Sequence, residues 1–167
     1  MVDKAAFPEI VREHQGMVFS IAYHFLHDRA VAEEVAQETF WQLHKHLGSL
    51  ESPAHVVYWL RRATSNRCID YARRQRLAPQ VCLEAVPEPS TSDTPGDPML
   101  ARRLRQLVAS LPPKQRMVVV LRYQEDLEPE EIADLLNLPV GTVKSQLQRS
   151  LAILREKVAR TMGMVNL

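Results

Sequence analysis

The chain has 167 residues, of which 46% are hydrophobic and 25% charged, with a formal net charge of +1. This is the composition of a folded globular chain with room for one ordinary domain or two small ones. The near-neutral total excludes a protein that coats nucleic acid indiscriminately, and no apolar run approaches the roughly 20 residues of a membrane span. The opening MVDKAAFPEI lacks the apolar core of a secretion signal, so a cytoplasmic location is expected. Cys68 and Cys82 are far apart and form no CxxC pair, and two reduced thiols are expected. His44 and His46 point to different sides of a helix, and His24 and His27 have no third ligand nearby, so no metal site or cofactor is expected.

Charge is unevenly distributed. Arg61, Arg62, Arg67, Arg73, Arg74 and Arg76 crowd one stretch against a single Asp70, and a second basic stretch runs from Lys144 to Arg160. Acidic residues collect from Glu84 to Asp97 and from Glu125 to Asp134. Two separate basic stretches in a neutral chain point to two localised contacts with a polyanion.

Glycine is scarce and alternating patterns are nearly absent, so the spacing predicts an all-α chain. A first helix carries Ile10, Val11, Met17, Val18, Ile21, Phe25 and Leu26 at intervals of three and four. A second, after His27-Asp28-Arg29, has Val31, Val35, Ala36, Thr39, Phe40, Leu43 and Leu47 on one side and stops at Gly48-Ser49. Ser52 is placed to cap a third helix with Pro53 at its first position, running through Val56, Leu60, Ala63 and Ile69 to about Arg76. The stretch from 77 to 97 is rich in Pro, Ser, Thr and acid and reads as a flexible linker. It divides the chain into two small helical domains, 1–76 and 98–167. The second opens with a helix holding Leu100, Leu104, Leu107, Val108 and Leu111, ended by Pro112-Pro113. PKQRMVVVLRY follows. Its three valines favour strand, but no partner strand exists in the sequence, so helix is expected.

The segment from Glu128 to Leu154 has the pattern of a helix-turn-helix. Pro129 opens a short helix with Ile132, Ala133 and Leu136 inward. Asn137 accepts a left-handed turn, and Pro139 prevents continuation. Val143, Leu147, Leu151, Leu154 and Val158 line one side of the next helix. At 100° per residue this turns Thr142, Ser145, Gln148 and Arg149 outward, with Lys144 and Gln146 on the flanks. Such side chains hydrogen-bond base edges and phosphates, and they occupy the turns that a recognition helix inserts into a major groove.

Several stretches together resemble bacterial sigma factors. AEEVAQETF is similar to region 2.2 and YWLRRATSNRCIDYARR to regions 2.3 and 2.4; LPPKQRMVVVLRY and EEIADLLNLPVGTVKSQLQRS are similar to regions 4.1 and 4.2. Their order resembles the extracytoplasmic-function (ECF) group. The resemblance implies docking of Glu34, Gln37, Glu38, Phe40 and Trp41 on the β′ clamp helices of core RNA polymerase, with the second unit near the β flap. It implies that the loop from Leu50 to His55 captures an unstacked base of the −10 element, with Asn66 lining the pocket and Tyr58 and Trp59 supporting strand opening. Arg61, Arg62, Arg67, Arg73 and Arg74 would hold phosphates. Thr142, Lys144, Ser145, Gln146, Gln148 and Arg149 would read the −35 element. An anti-sigma factor as regulator, a monomeric free state and no catalysis of its own are further implications. Where that pattern commonly has Gly, Arg and a Ser or Thr cap, this chain has Asn137, Gln146 and Glu128. An operator-binding dimer and an enzyme are the rival classes. Neither a sensor-pocket signature nor a nucleophile, phosphate-loop or metal motif supports them.

Overall fold

A computed structural model describes residues 1–77 and 98–165. The described residues form seven α-helices, with short 3₁₀ turns at Lys4–Ala6 and Leu47–Ser49 and no strand. Helix α1 (Phe7–Leu26) ends where His27 enters the left-handed region at φ 52, its N–H bonded to the Tyr23 carbonyl. Asp28 then accepts a 3.2 Å bond from the Val31 N–H and starts α2 (Arg29–His46), so one capped two-residue turn reverses the chain. Ser52 Oγ accepts from the His55 N–H at 3.2 Å and opens α3 (Pro53–Leu77), as the Ser-Pro pair foretells. The expected linker lies outside the described residues except for Leu77, which belongs to α3.

The second group comprises α4 (Pro98–Ala109), α5 (Pro113–Tyr123), α6 (Pro129–Leu136) and α7 (Val140–Val165). Helix α4 stops three residues before the expected proline. Ser110 Oγ bonds back to the Leu107 carbonyl at 2.6 Å, and Leu111, 3% exposed, leaves the helix to enter the core. Val118, Val119 and Val120 are buried in α5: burial on a helix surrounded by other helices overrides their strand preference.

Two apolar clusters hold these helices. Ile10, Val18, Phe40, Leu43, Leu47, Leu50, Val56 and Leu60 form one, wholly within α1–α3 and the turn after α2. The other crosses the chain: Ile21, Phe25, Val35, Cys68 and Ile69 share a cluster with Met117, Leu121, Leu127, Ile132, Leu135 and Val143. Full burial of each large apolar side chain is worth about 1.5–3 kcal/mol, so this shared cluster is a substantial tie. The two helical groups, expected as two small domains joined by a linker, therefore pack against each other. Polar contacts follow the same seam. The Arg116 guanidinium lies 4.7 Å over the Phe25 ring and donates to the Phe25 carbonyl at 3.4 Å.

His27 sits at this seam with both ring nitrogens buried and no protein hydrogen-bond partner among the described residues. Burial, then the nearby charges of His24, Arg105 and Arg116, hold its pKa down to about 4. The folded chain thus resists a proton that the unfolded chain accepts near the ordinary histidine value. His27 costs no stability above about pH 6.5, and stability is lost as pH falls from there toward 4. His27→Asn keeps a residue tolerant of the left-handed turn and removes the titration. Urea unfolding at pH 7.5 and pH 4.5 should show the acid-induced loss of stability reduced by about 2 kcal/mol in this variant.

Candidate nucleic-acid interface

The turn between α6 and α7 is set by local chemistry. Glu131 Oε2 accepts from the Glu128 N–H at 2.8 Å, giving the start of α6 a carboxylate partner although no Ser or Thr is present. Asn137 adopts φ 53, ψ 50, and the Leu138 N–H bonds back to the Ala133 carbonyl at 2.9 Å. Ala133, 5% exposed, is small where the helices approach. With Val143, Leu147 and Ser150 buried, Lys144, Ser145, Gln148 and Arg149 are exposed on α7 and Thr142 is half-buried. Lys144 Nζ lies 3.6 Å from Glu130 Oε1, with both side chains largely solvated. A pair of that kind contributes little and exchanges readily for a phosphate.

Gln146 is expected on a flank of α7. It is half-buried, its Oε1 is enclosed without a partner among the described residues, and its carbonyl accepts from Ser150 Oγ at 2.7 Å. Ser150 Oγ in turn accepts from Gln115 Nε2 at 3.0 Å. The inward face of α7 is thus partly polar, and Gln146 lies half-buried between it and the exposed face.

Helix α3 sends its basic residues in three directions. His55, Arg62, Asn66 and Arg73 fall within about 20° of one line at 100° per residue, and all four are exposed. Tyr58 and Trp59 flank this stripe half-buried, Trp59 with its ring centroid 5.9 Å from that of His46. Arg62 Nη1 donates to the Tyr58 hydroxyl at 3.2 Å. Arg67 turns toward α2, 3.5 Å from Glu38, and Arg74 lines the same shallow cavity. Arg61 turns the opposite way, half-buried, with Nε enclosed. Leu50 does not belong to the surface at all. At 3% exposure it fills the core of α1–α3, because the chain leaving the 3₁₀ turn must cover Leu47 and Val56.

A groove of about 750 Å³ runs between α1 and α2. Phe7, Val11, Phe19, Ala36 and Phe40 line it, with Gln37, Trp41 and His44 on α2 beside them. Trp41 is 58% exposed, with Lys45 Nζ 5.0 Å from its ring centroid. Of the five residues expected to share a docking face, Gln37, Phe40 and Trp41 meet here, whereas Glu34 and Glu38 lie around the side of α2 with Arg67 and Arg74. The aromatic contribution of α1 was not foreseen. Phe7, Val11, Gln15 and Phe19 form an i, i+4 ladder beside the main core stripe, and that ladder is the signal that was readable.

Cys68 is buried and free, its thiol pushed up to about 12 by burial, while Cys82 lies outside the described residues. Among the described residues no cluster of His, Cys, Asp and Glu suits a metal ion, and no helix is long and apolar enough to cross a membrane.

A helical unit with a cationic stripe, paired with a helix-turn-helix, defines a class. Residues 10–78 match the family model for Sigma-70 region 2, and residues 101–154 match that for Sigma-70, region 4. The ECF RNA polymerase sigma factor SigW of Bacillus subtilis is 30% identical over 171 residues, covering 93% of this chain and 90% of that protein. The RNA polymerase sigma-E factor of Streptomyces coelicolor is 33% identical over 152 residues, 91% of this chain and 85% of the relative. SigE of Mycolicibacterium smegmatis is 33% identical over 170 residues, 95% of this chain, which spans only 65% of that relative's length. The chain belongs to the ECF RNA polymerase sigma factors. Its fold is shared by the sigma factor RpoE of Bartonella quintana, solved with the anti-sigma factor NepR (TM-score 0.69, 18% identity, 92% of this chain and 96% of that one). It is shared too by CnrH, solved with the cytosolic domain of CnrY (TM-score 0.67, 22% identity, 95% and 90%).

The left-handed Asn137 is the test of the turn. Asn137→Gly should leave stability within a few tenths of a kcal/mol, whereas Asn137→Val should cost about 1–2 kcal/mol, since a β-branched side chain clashes in that conformation. Thermal unfolding of both variants measures the difference.

Proposed function

We propose that this chain is an ECF sigma factor that docks on core RNA polymerase and directs promoter-specific initiation, with no catalysis of its own. Residues 1–76 form the unit for polymerase docking and the −10 element. Residues 98–167 form the unit for the −35 element, and 77–97 join them. The observation that carries this reading is the pair of exposed polar faces on different helical units, one cationic on α3 and one of Ser, Gln and Arg type on α7. They suit different tasks. Arg62, Arg73 and Arg74 offer charge to a phosphate backbone, while Tyr58, Trp59 and Asn66 offer stacking and hydrogen bonds to an unpaired strand. Lys144, Ser145, Gln148 and Arg149 present donors and acceptors to base edges in a major groove.

The α1–α2 groove suits an apolar helix-bearing partner, and we assign it to the clamp helices of the polymerase, with Phe40 as floor, Trp41 and Gln37 beside it, and Glu34 and Glu38 at the side. The β flap is assigned to the second unit. An anti-sigma factor is the regulator expected for such a chain, which acts in the cytoplasm and is a monomer when free.

Run-off transcription with core polymerase is the direct test: added chain should give promoter-specific transcripts that core alone does not. Arg73→Glu combined with Arg74→Glu should reduce them at least about tenfold and lower the salt dependence of promoter binding by about two units of slope. Trp41→Ala should weaken binding to core polymerase while leaving binding of a −35 duplex unchanged. Loss of duplex binding in Trp41→Ala, or wild-type transcription from the double arginine variant, would remove those assignments.

A further inference from the structure

We infer that Gln115, at the start of α5, is a positioning residue for −35 selection: through Ser150 it fixes the rotation of α7, and with it the base edges that Ser145, Gln148 and Arg149 meet. The inference rests on the sigma-factor reading and on the assignment of the exposed α7 face to the −35 element.

The two side chains join α5 to α7. Ser150 is fully buried; its hydroxyl donates to the Gln146 carbonyl one turn back at 2.7 Å and accepts from Gln115 Nε2 at 3.0 Å. The first bond fixes the serine rotamer. The second then forms only over a narrow range of settings of one helix against the other, because hydrogen bonds weaken steeply with misalignment.

Burial does not demand that second bond. Thr39 and Thr64 are as deeply buried, and a carbonyl four residues back in the same helix satisfies each hydroxyl proton. Ser150 has a bond of the same kind, so its proton is placed without α5. Helix formation does not explain the residue type either, since alanine is the better helix former and buries no polar atom. Nor is the gain in stability large. The net benefit of such a bond is comparable to the rotamer freedom that a long glutamine side chain gives up. What the pair supplies is direction.

Direction matters in a helix that reads. Val143 and Leu147 hold α7 by apolar burial, which is non-directional and tolerates small rotations. Side-chain tips lie about 6 Å from the axis of an α-helix, so a rotation of about 5° moves them by about 0.5 Å. That is already the tolerance of a productive binding geometry. Ser145, Gln148 and Arg149 are exposed just ahead of Ser150 on the same helix and inherit its rotation. Helix α5 is a firm reference for it, with Met117, Val118, Val119, Val120 and Leu121 all buried.

Holoenzyme assembled from core polymerase and the full chain, selected on promoter fragments with a randomised −35 element, gives the base preference at each position. Gln115→Met keeps the side-chain length and the Ser150 back-bond but removes the donor, and Ser150→Ala removes the acceptor. Each should lower discrimination against single-base changes about fivefold, a part of the roughly 5- to 150-fold that one bidentate base contact supplies. The double variant should lose no more than either single one, because the same bond is missing from all three. Assembly with core polymerase should be unchanged, and the melting temperature should move by less than about 4 °C. A wild-type preference profile in Gln115→Met, additive losses in the double variant, or equal weakening on every fragment would overturn the proposal and leave Gln115 a packing residue. If Ser150→Ala does not fold, Gln115→Met alone decides, since that side chain is only half-buried. Wild-type holoenzyme that selects no −35 sequence would instead overturn the assignment of α7 beneath it.

Discussion

Helix α3 has to satisfy two apolar clusters and solvent along one axis, and most of the molecule follows from how it does so. Val56 and Leu60 point into the core of the first unit, while Cys68, Ile69 and Ala72 point into the cluster shared with the second. What remains is the line of His55, Arg62, Asn66 and Arg73. Rotating α3 to present another face would expose side chains that are each worth about 1.5–3 kcal/mol when fully buried. The exposed arginines have no comparable hold, since solvated ion pairs contribute at most about 1 kcal/mol. The direction of the cationic stripe is thus fixed by apolar packing on the far sides of the helix.

The same division of labour operates in the helix-turn-helix, with a difference in chemistry. Val143, Leu147 and Ser150 set the rotation of α7, and Ser150 does so through hydrogen bonds to Gln115 and to the Gln146 carbonyl as well as by fitting a closed space. The outward face is short of charge compared with α3. Ser145 and Gln148 are neutral, Lys144 is paired with Glu130, and Arg149 is the further cation among them. A cationic stripe binds any backbone within reach, whereas a mixed face of hydroxyl, amide and guanidinium groups discriminates by hydrogen bonding. The two units are therefore suited to holding and to reading.

Periodicity carried the helices, the Ser52 cap, the left-handed Asn137 and the outward side of α7, because each depends on residues within about two turns of one another. The failures share a longer range. Leu50 looked like a loop residue, and only the closure of α1 and α2 on α3 turns it into core. Leu135 and Leu127 owe part of their burial to a partner surface some seventy residues away in sequence, across a linker that left the packing of the two units open. Nothing in local spacing reports whether two tethered units close on each other, since that depends on complementarity between faces that are each only partly apolar.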